Sequence, residues 1–287
     1  MTRAHLEKAE FYITNVCNLD CEHCNRFNNH MFRGSQLWSD YQPIYQRWGR
    51  LLDIDQLVIL GGEPLLNPSI VAWINGLAAI WKPVQVQTNG TRINSVPGLY
   101  QALERKKAFL GISLHNINEM NFIDSEIKKF LQGSVSMTNL DPELQQGDIL
   151  YVDRNGVEIK IWIQNQFQLS AIKLNDQGQM TLHCSDVHRA HEICTFAQWK
   201  CYHFIRGKLY KCGPVALFPE FDQQHSLTLT AEDRELINAY QPLDLKNWDE
   251  QHQDFLARLD QPIPQCKFCP DYTQMQTIQP RLNIKNV

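Results

Sequence analysis

The 287-residue chain has no excess of positive charge: 27 lysines and arginines face 31 acidic residues, for a formal charge of −4. Such a balance creates no field that would gather nucleic acid or an anionic membrane. Long apolar runs are also missing. The longest uncharged stretch, Pro64 to Trp81, is interrupted by Asn67, Pro68 and Asn75, and reads as a buried helix with a capped start, not as a membrane span of about 20 apolar residues. No apolar signal core precedes the strand-like Glu10–Val16, so the expected location is the cytoplasm. Internal repeats and low-complexity tracts are absent. With 43% hydrophobic and 20% charged residues, and only 14 glycines and 13 prolines, disordered, collagenous and coiled-coil chains are excluded. The length fits one large domain or one domain with a small appendage, at roughly 150 residues per domain. Cysteine, by contrast, is plentiful. Nine is an odd number, and in a reducing compartment metal ligands or catalytic thiols are expected before a disulfide framework.

From residue 10 to about 115, short apolar segments alternate with longer amphipathic ones, the pattern of βα units around a parallel sheet. Strands are predicted at 10–16, 55–60, 83–88 and 108–114, with a fifth over Val157–Gln164 after a turn-rich stretch at 134–156. Helices are predicted at 37–52, 68–80, 97–106 and 117–131, the first starting at Ser39-Asp40 and the second capped by Asn67 before Pro68. Ligands of parallel α/β folds bind at the carboxyl ends of strands. Cys17, Gly61-Gly62-Glu63, Thr88-Asn89-Gly90 and Ser113-Leu114-His115 all fall there, which predicts one shared site on one rim. Beyond about residue 185 the alternation stops and cysteine density rises.

Cys17, Cys21 and Cys24 place three thiols within eight residues, with spacing CxxxCxxC. A structural zinc site closes its shell with four protein ligands, whereas a 4Fe-4S cluster held by three thiolates leaves one iron open. The plainer alternatives are three buried thiols or a zinc knuckle, and His23 is too close to Cys24 to be an easy fourth ligand. This spacing at the end of a first strand resembles the radical S-adenosylmethionine (radical SAM) superfamily. Gly61-Gly62-Glu63-Pro64 is similar to that family's GGEP motif, in which backbone and acidic side chain receive the methionyl ammonium of S-adenosylmethionine. Glycines permit close backbone approach and a carboxylate pairs with an ammonium. The resemblance further implies that Thr88, Asn89, Ser113 and His115 hold the ribose and carboxylate of the cofactor. His23 stands where many members have an aromatic residue against the adenine, and an imidazole can still stack there. The implied chemistry is reductive cleavage of S-adenosylmethionine at the cluster and hydrogen abstraction from a substrate by the resulting 5′-deoxyadenosyl radical, with an external electron donor such as flavodoxin or ferredoxin.

Six further cysteines lie after residue 180. Cys194, then Gly207-Lys-Leu-Tyr-Lys-Cys212, then Cys266-Lys-Phe-Cys269 resemble the SPASM/twitch extensions of radical SAM enzymes, which bind an auxiliary 4Fe-4S cluster; the shorter twitch form fits better. Around Arg206-Gly207 the apolar alternation independently predicts a hairpin whose Gly207 needs positive φ. The same four thiols could make a zinc ribbon. Cys184 and Cys201 are left over, as buried small side chains or as catalytic thiols that donate a hydrogen atom to a substrate radical. Cys184, His188 and His191 have the spacing to share one helix face. The expected fold is therefore α/β, a partial (β/α)6 TIM-like barrel over residues 1–190, with a small cysteine-rich twitch-type α+β domain over 191–287 covering its rim.

The expected reaction is oxidation of a small polar molecule such as a sugar, aminosugar or nucleoside. Redox-neutral epimerisation or rearrangement, peptide modification, and a non-catalytic zinc-binding protein are the alternatives. Trp162, Gln164, Asn165, Arg154 and Arg206 are candidate substrate contacts. The start of the first strand near residue 10 leaves no room for an N-terminal peptide-binding module, which weighs toward a small molecule.

Overall fold

The protein is described here by a computed structural model covering residues 3–30, 32–106, 108–139, 148–164, 166–272, 275–277 and 281–282. Its centre is a nine-stranded mixed sheet. In chain order the strands are β1 (Ala4–Tyr12), β2 (Leu52–Leu60), β3 (Val84–Thr88), β4 (Ala108–Leu114), β5 (Val135–Asn139), β6 (Ile149–Asp153), β7 (Glu158–Ile163), β8 (Cys201–Ile205) and β9 (Lys208–Tyr210). Across the sheet the order is β9-β8-β1-β2-β3-β4-β7-β6-β5. The six central strands, β8 to β7, run parallel, and an antiparallel partner follows at each edge.

Helices α1 (Trp38–Leu51), α2 (Ile70–Ala78), α3 (Leu99–Lys106) and α4 (Met120–Phe130) connect the parallel strands. Each presents an apolar stripe to the sheet, as the sequence period requires. Trp48, Trp73 and Leu77 are fully enclosed in this layer, and burying side chains of that size contributes about 2 to 3 kcal/mol each. Two details differ from expectation. The first strand begins at Ala4 and ends at Tyr12, so Cys17 stands beyond an irregular segment and not directly on the strand end. Asn67 is not the cap of α2, which begins at Ile70. Its Oδ1 accepts the Ser69 N–H at 2.8 Å, while its Nδ2 donates to the carbonyls of Ile13 and Gln36.

The predicted turn-rich stretch forms the antiparallel pair β5–β6 beside β7, with residues 140–147 outside the described residues. The predicted hairpin is β8–β9, with Arg206 at φ 50° and Gly207 at φ 75°. Two central residues of positive φ suit the right-handed strand twist, and glycine adopts that conformation without strain. β8 was expected in the C-terminal unit, yet it pairs with β1 from Lys8↔Cys201 to Tyr12↔Ile205. The sheet therefore takes an edge from beyond residue 190. Following it, α7 (Gly213–His225) packs Phe218 and Phe221 against Phe27 of the cysteine loop, at 5.8 and 5.2 Å between ring centroids. No helix among the described residues is long and apolar enough to cross a membrane.

Where β1 meets β8, Glu10 faces His203 in register. The Glu10 carboxylate bonds to the Arg26 guanidinium and lies 2.6 Å from His203 Nε2. All three side chains are almost fully enclosed. Burial alone would push the Glu10 carboxyl up, but Arg26 and His203 outweigh it and hold it far below its ordinary value of 4.5. Burial pushes the His203 pKa down, and Glu10 opposes that shift. A depressed carboxyl stabilises the fold at pH values above its unfolded pKa, and that contribution is lost as pH falls toward the folded value. Replacing Glu10 by Gln leaves Arg26 buried without a counter-charge, at a cost of about 3 to 5 kcal/mol at pH 7. Urea unfolding of both proteins checks this. Wild-type stability should fall as pH drops below about 4.5, the variant's should fall less steeply, and parallel slopes would show that Glu10 carries no such linkage.

Candidate functional site

The carboxyl ends of β2, β3, β4 and β7, with the cysteine loop that follows β1, open on one cavity of about 420 Å³. Cys17, Cys21 and Cys24 line it together with Gly61, Gly62, Thr88, Asn89, Ser113, His115 and His23. The structure thus brings to one rim all the expected cofactor-binding residues except Glu63.

The loop carrying the three thiols is held from below. Gly62 N–H donates to the Thr14 carbonyl at 2.7 Å and Glu63 N–H to the Val16 carbonyl at 2.8 Å. These bonds continue the β1–β2 pairing past the strand ends with another geometry. A Cβ on Gly62 would stand 2.3 Å from the Val16 oxygen and 2.9 Å from Cys17 Cβ. The two glycines therefore serve the approach of one main chain to another, beneath the cysteines. Further on, Cys24 N–H donates to Cys21, Phe27 N–H to Cys24 and His30 N–H to Phe27, winding the loop into successive turns. Asn18 Nδ2 donates to Thr91 Oγ1 at 2.8 Å and its Oδ1 accepts Asn89 Nδ2 at 2.9 Å, so the loop is also tied to the end of β3. Sequence reasoning missed Asn18 and Thr91, since single polar residues in loops carry no periodic signal.

Cys17 and Cys21 are each 8% exposed. Burial pushes both thiols far up, and the neighbouring Cys24 adds to the effect. Leu19 N–H on Cys17 Sγ, at 3.5 Å, opposes it. A thiolate this enclosed needs a cation, and metal binding supplies one while releasing the proton. Among the described residues, no three histidine, cysteine or acidic side chains converge on one metal ion. An iron-sulfur cluster spreads its thiolates around a cube, so three thiols facing one cavity with room beside them fit that group with one iron left open.

Glu63 lies elsewhere than expected. Its side chain is fully buried and does not face the cavity. One oxygen accepts Leu65 N–H at 2.9 Å and Thr88 Oγ1–H at 2.6 Å, and the other accepts Asn89 N–H at 2.8 Å. Burial raises its pKa and these bonds oppose the rise. Here the carboxylate locks the end of β2 to the end of β3 and positions Thr88 and Asn89. Beside it, Gln87 Nε2 donates to Ser113 Oγ at 2.6 Å, and Ser113 Oγ–H to Gln164 Oε1 at 3.2 Å. His115 Nδ1 lies 3.0 Å from the Gln164 carbonyl oxygen, and its ring meets the Phe167 ring edge-on at 5.0 Å.

Cys194, Cys212, Cys266 and Cys269 surround a second, small cavity of about 30 Å³. Cys212 precedes α7 and Cys194 precedes the short α6 (Thr195–Gln198). Burial pushes the Cys212 thiol up to about 12, with Cys194 and Cys266 adding, while a bond from Val215 N–H lowers it. Cys269 is driven up by burial and by all three other thiols. Four thiols around one small cavity, three of them, Cys212, Cys266 and Cys269, pushed up by burial, are a donor set for a fully protein-ligated iron-sulfur cluster, whose thiolates need not converge on one ion. Cys194, Cys212 and Cys269 also face the larger cavity.

The remaining candidates lie apart. Cys201, the first residue of β8, is 1% exposed, lies against Glu10 and does not line the cavity. Cys184 is exposed and outside it. Nor does Cys184 share a helix with His188 and His191: α5 (Val187–Glu192) starts after Asp186, whose side chain caps it by accepting Arg189 N–H. Of the expected substrate contacts, Gln164 lines the cavity. Trp162 covers Lys160 at 4.8 Å, Arg154 packs beside Gly133, Arg206 pairs with Glu220, and Asn165 lies outside the described residues. A Gly62→Ala substitution tests the support of the cysteine loop. It should cost about 1 to 3 kcal/mol in urea unfolding and expose Cys17 and Cys21 to a thiol reagent under native conditions, whereas an unchanged midpoint and labelling rate would contradict the contact.

Residues 11–134 match the family model described as the Radical SAM superfamily. No curated protein matches the chain. Among solved structures, SuiB of Streptococcus suis bound to S-adenosylmethionine is similar at 21% identity and TM-score 0.36, over 44% of this chain and 30% of that one. SuiB bound to the precursor peptide SuiA gives 20% identity and TM-score 0.35, over 42% and 27%. The matched part is less than a third of SuiB. The CxxxCxxC loop, the Gly-Gly-Glu turn and the polar ends of β3 and β4 all lie inside the segment, residues 11–134, that matches the radical SAM family model.

Proposed function

We propose that the chain is a radical SAM enzyme that oxidises a small, uncharged polar molecule, with a second iron-sulfur cluster receiving the electron. The observation that carries this reading is that Cys17, Cys21 and Cys24 face the same cavity of about 420 Å³ as Cys194, Cys212 and Cys269 of the C-terminal set. Cys17, Cys21 and Cys24 would hold the first 4Fe-4S cluster; Cys194, Cys212, Cys266 and Cys269 would hold the second. When bound, the first cluster with S-adenosylmethionine supplies a 5′-deoxyadenosyl radical by reductive cleavage, driven by an external donor such as flavodoxin or ferredoxin. Gly61, Gly62, Thr88, Asn89, Ser113, His115 and His23 would seat the cofactor, and Glu63 would act behind them as a positioning residue. Six adjacent parallel strands support a partial (β/α)6 barrel, five of them within residues 1–190 and the sixth, β8, from beyond it, and the four-cysteine cavity with the Cys266–Cys269 turn supports a twitch-type unit toward the C-terminus.

The wall of the cavity bears on the substrate. Gln87, Gln164, Gln166 and Gln168 contribute neutral donors and acceptors. Arg26, whose charge is answered by Glu10, is the one lysine, arginine or acidic residue among the described lining residues. Such a wall suits hydroxyls and amides and gives an ammonium no partner, which favours a sugar or nucleoside over an aminosugar. Oxidation also needs a proton acceptor. Burial lowers the His115 pKa and the Gln164 carbonyl opposes the shift; with Nδ1–H donating to that carbonyl, the lone pair of the neutral ring would lie on Nε2 and could take a carbinol proton. The epimerase alternative would need a hydrogen-donating thiol in the cavity, and Cys184 and Cys201 lie outside it.

Anaerobic iron and sulfide counting on reconstituted protein, with deoxyadenosine measured in the same tubes, tests this reading. Wild type should carry about eight irons, and the Cys17/Cys21/Cys24→Ala variant about four with no deoxyadenosine. About four irons in wild type and almost none in the variant would remove the electron acceptor from the proposal. Zinc in place of iron at the first site, without deoxyadenosine, would make the protein a zinc-binding module. Turnover of a peptide but of no sugar or nucleoside would move the enzyme to peptide modification.

A further inference from the structure

Inside the small cavity that the four C-terminal cysteines surround, one polar atom has no partner. His191 Nε2 is completely enclosed and makes no hydrogen bond, and His191 lines the same cavity as Cys194, Cys212, Cys266 and Cys269. Lys211, the other basic side chain in that wall, is already tied to the Leu259 carbonyl. An enclosed ring nitrogen without a partner costs free energy unless something absent from the protein chain completes it. The surroundings narrow what that can be. The remaining wall is mostly apolar, with Phe196, Val215, Phe218 and Ile263, so sulfur is the acceptor at hand. His191 is also fixed in place: it lies in the last turn of α5, and its carbonyl accepts Cys194 N–H at 3.2 Å.

We propose that His191 donates an Nε2–H···S hydrogen bond to the metal-bound sulfur of the four-cysteine site and so sets the ease with which that site is reduced. The inference rests on the reading of these cysteines as a metal site. A hydrogen bond to a cluster sulfur withdraws negative charge, which favours the reduced, more negative state and raises the potential. It also holds a thiolate against release of its metal. His191 is then a positioning and tuning residue and not a fifth ligand, because the cysteines already complete a four-thiolate shell.

The test uses the full chain carrying Cys17/Cys21/Cys24→Ala, so that only the C-terminal site can load, with His191→Leu and His191→Gln made in that background. Metal content and, by EPR-monitored titration, the midpoint potential are measured after anaerobic reconstitution. The parent and both variants should hold the same iron. The Leu variant should be harder to reduce, while the Gln variant, whose amide keeps an N–H near the Nε2 position, should stay close to the parent. Equal midpoints for Leu and parent would overturn the proposal, as would loss of iron in both variants, which would make His191 a ligand. If the parent takes up zinc and no iron, the auxiliary-cluster reading fails on that count alone. The hydrogen bond is then judged by the rate at which 4-(2-pyridylazo)resorcinol strips zinc: about tenfold faster for Leu than for Gln or parent supports it, and equal rates overturn it. A parent that binds neither metal removes both the site and the proposal.

Discussion

A single buried carboxylate, that of Glu10, stands where the two cysteine-bearing parts of the chain meet. Arg26, which answers its charge, follows Cys24 by two residues, and His203 comes from β8 beyond Cys194. Phe196, two residues after Cys194, lies against both partners, 4.9 Å from the Arg26 guanidinium and edge-on to the His203 ring at 5.0 Å. Gly213, next to Cys212, packs against the same imidazole and guanidinium. An ion pair so enclosed adds little net stability over an apolar substitute, because desolvation offsets most of the attraction. What it contributes is geometry: Arg26 can satisfy Glu10 in only one arrangement of the cysteine loop on β1 and β8. His203 Nε2 lies against both partners, 2.6 Å from the Glu10 carboxylate and 2.8 Å from Arg26 Nη2, while its Nδ1 has no partner. The mutual placement of the two thiol sets follows from this contact and from the Phe27–Phe218 stack beside it.

Local rules account for how much of this could be read before the structure. The four helices and the parallel strands β2, β3, β4 and β7 fall within a few residues of their predicted spans because period and punctuation are encoded in neighbouring residues, whereas β1 lies nearer the N-terminus than its predicted span of 10–16. The β8–β9 hairpin was legible for the same reason, as Gly207 sits in an apolar alternation. The pairing of β8 with β1 was not. It joins residues about 190 positions apart and leaves no mark in either segment beyond apolar content. Side-chain direction was equally hidden: nothing in Gly-Gly-Glu tells whether the carboxylate faces a ligand or the chain behind it, and Glu63 is turned inward by Thr88 and the Asn89 amide. The leftover cysteines show the converse. Cys201 alternates into a buried strand face, so a reactive role was readable from its residue type alone and is answered by its burial.

The polar ends of β2, β3 and β4 behave as one connected unit. Glu63 joins β2 to β3, Asn89 joins β3 to the cysteine loop through Asn18, and Gln87, Ser113 and Gln164 join β3 through β4 to the end of β7. Each bond is worth only about 1 kcal/mol net. Leaving any one donor unmet inside the rim costs more, so the groups order one another, and the cavity wall is assembled before a ligand arrives. Preorganisation of this kind matters for radical chemistry, in which the reactive species must meet one C–H bond and no solvent.

The charge distribution of the cavity gives this argument its last step. Seven cysteines surround or adjoin a space whose only full charge among the described lining residues, that of Arg26, is cancelled by Glu10. Loading both sets with metal adds net negative charge to a low-dielectric interior that has no spare cation of its own at the larger cavity. Around the smaller cavity the chain does supply compensation: the ammonium of Lys211, the Val215 N–H on Cys212 at the start of α7, and the enclosed His191 nitrogen. Around Cys17, Cys21 and Cys24 the comparable contacts are the Leu19 and Asn18 N–H groups on Cys17, with no lysine beside them among the described lining residues, and both Cys17 and Cys21 are strongly desolvated. The C-terminal set is thus the better electrostatically supported of the two for holding an additional electron. On the proposed reading, that asymmetry would give an electron leaving the substrate a direction across the cavity, toward the start of α7.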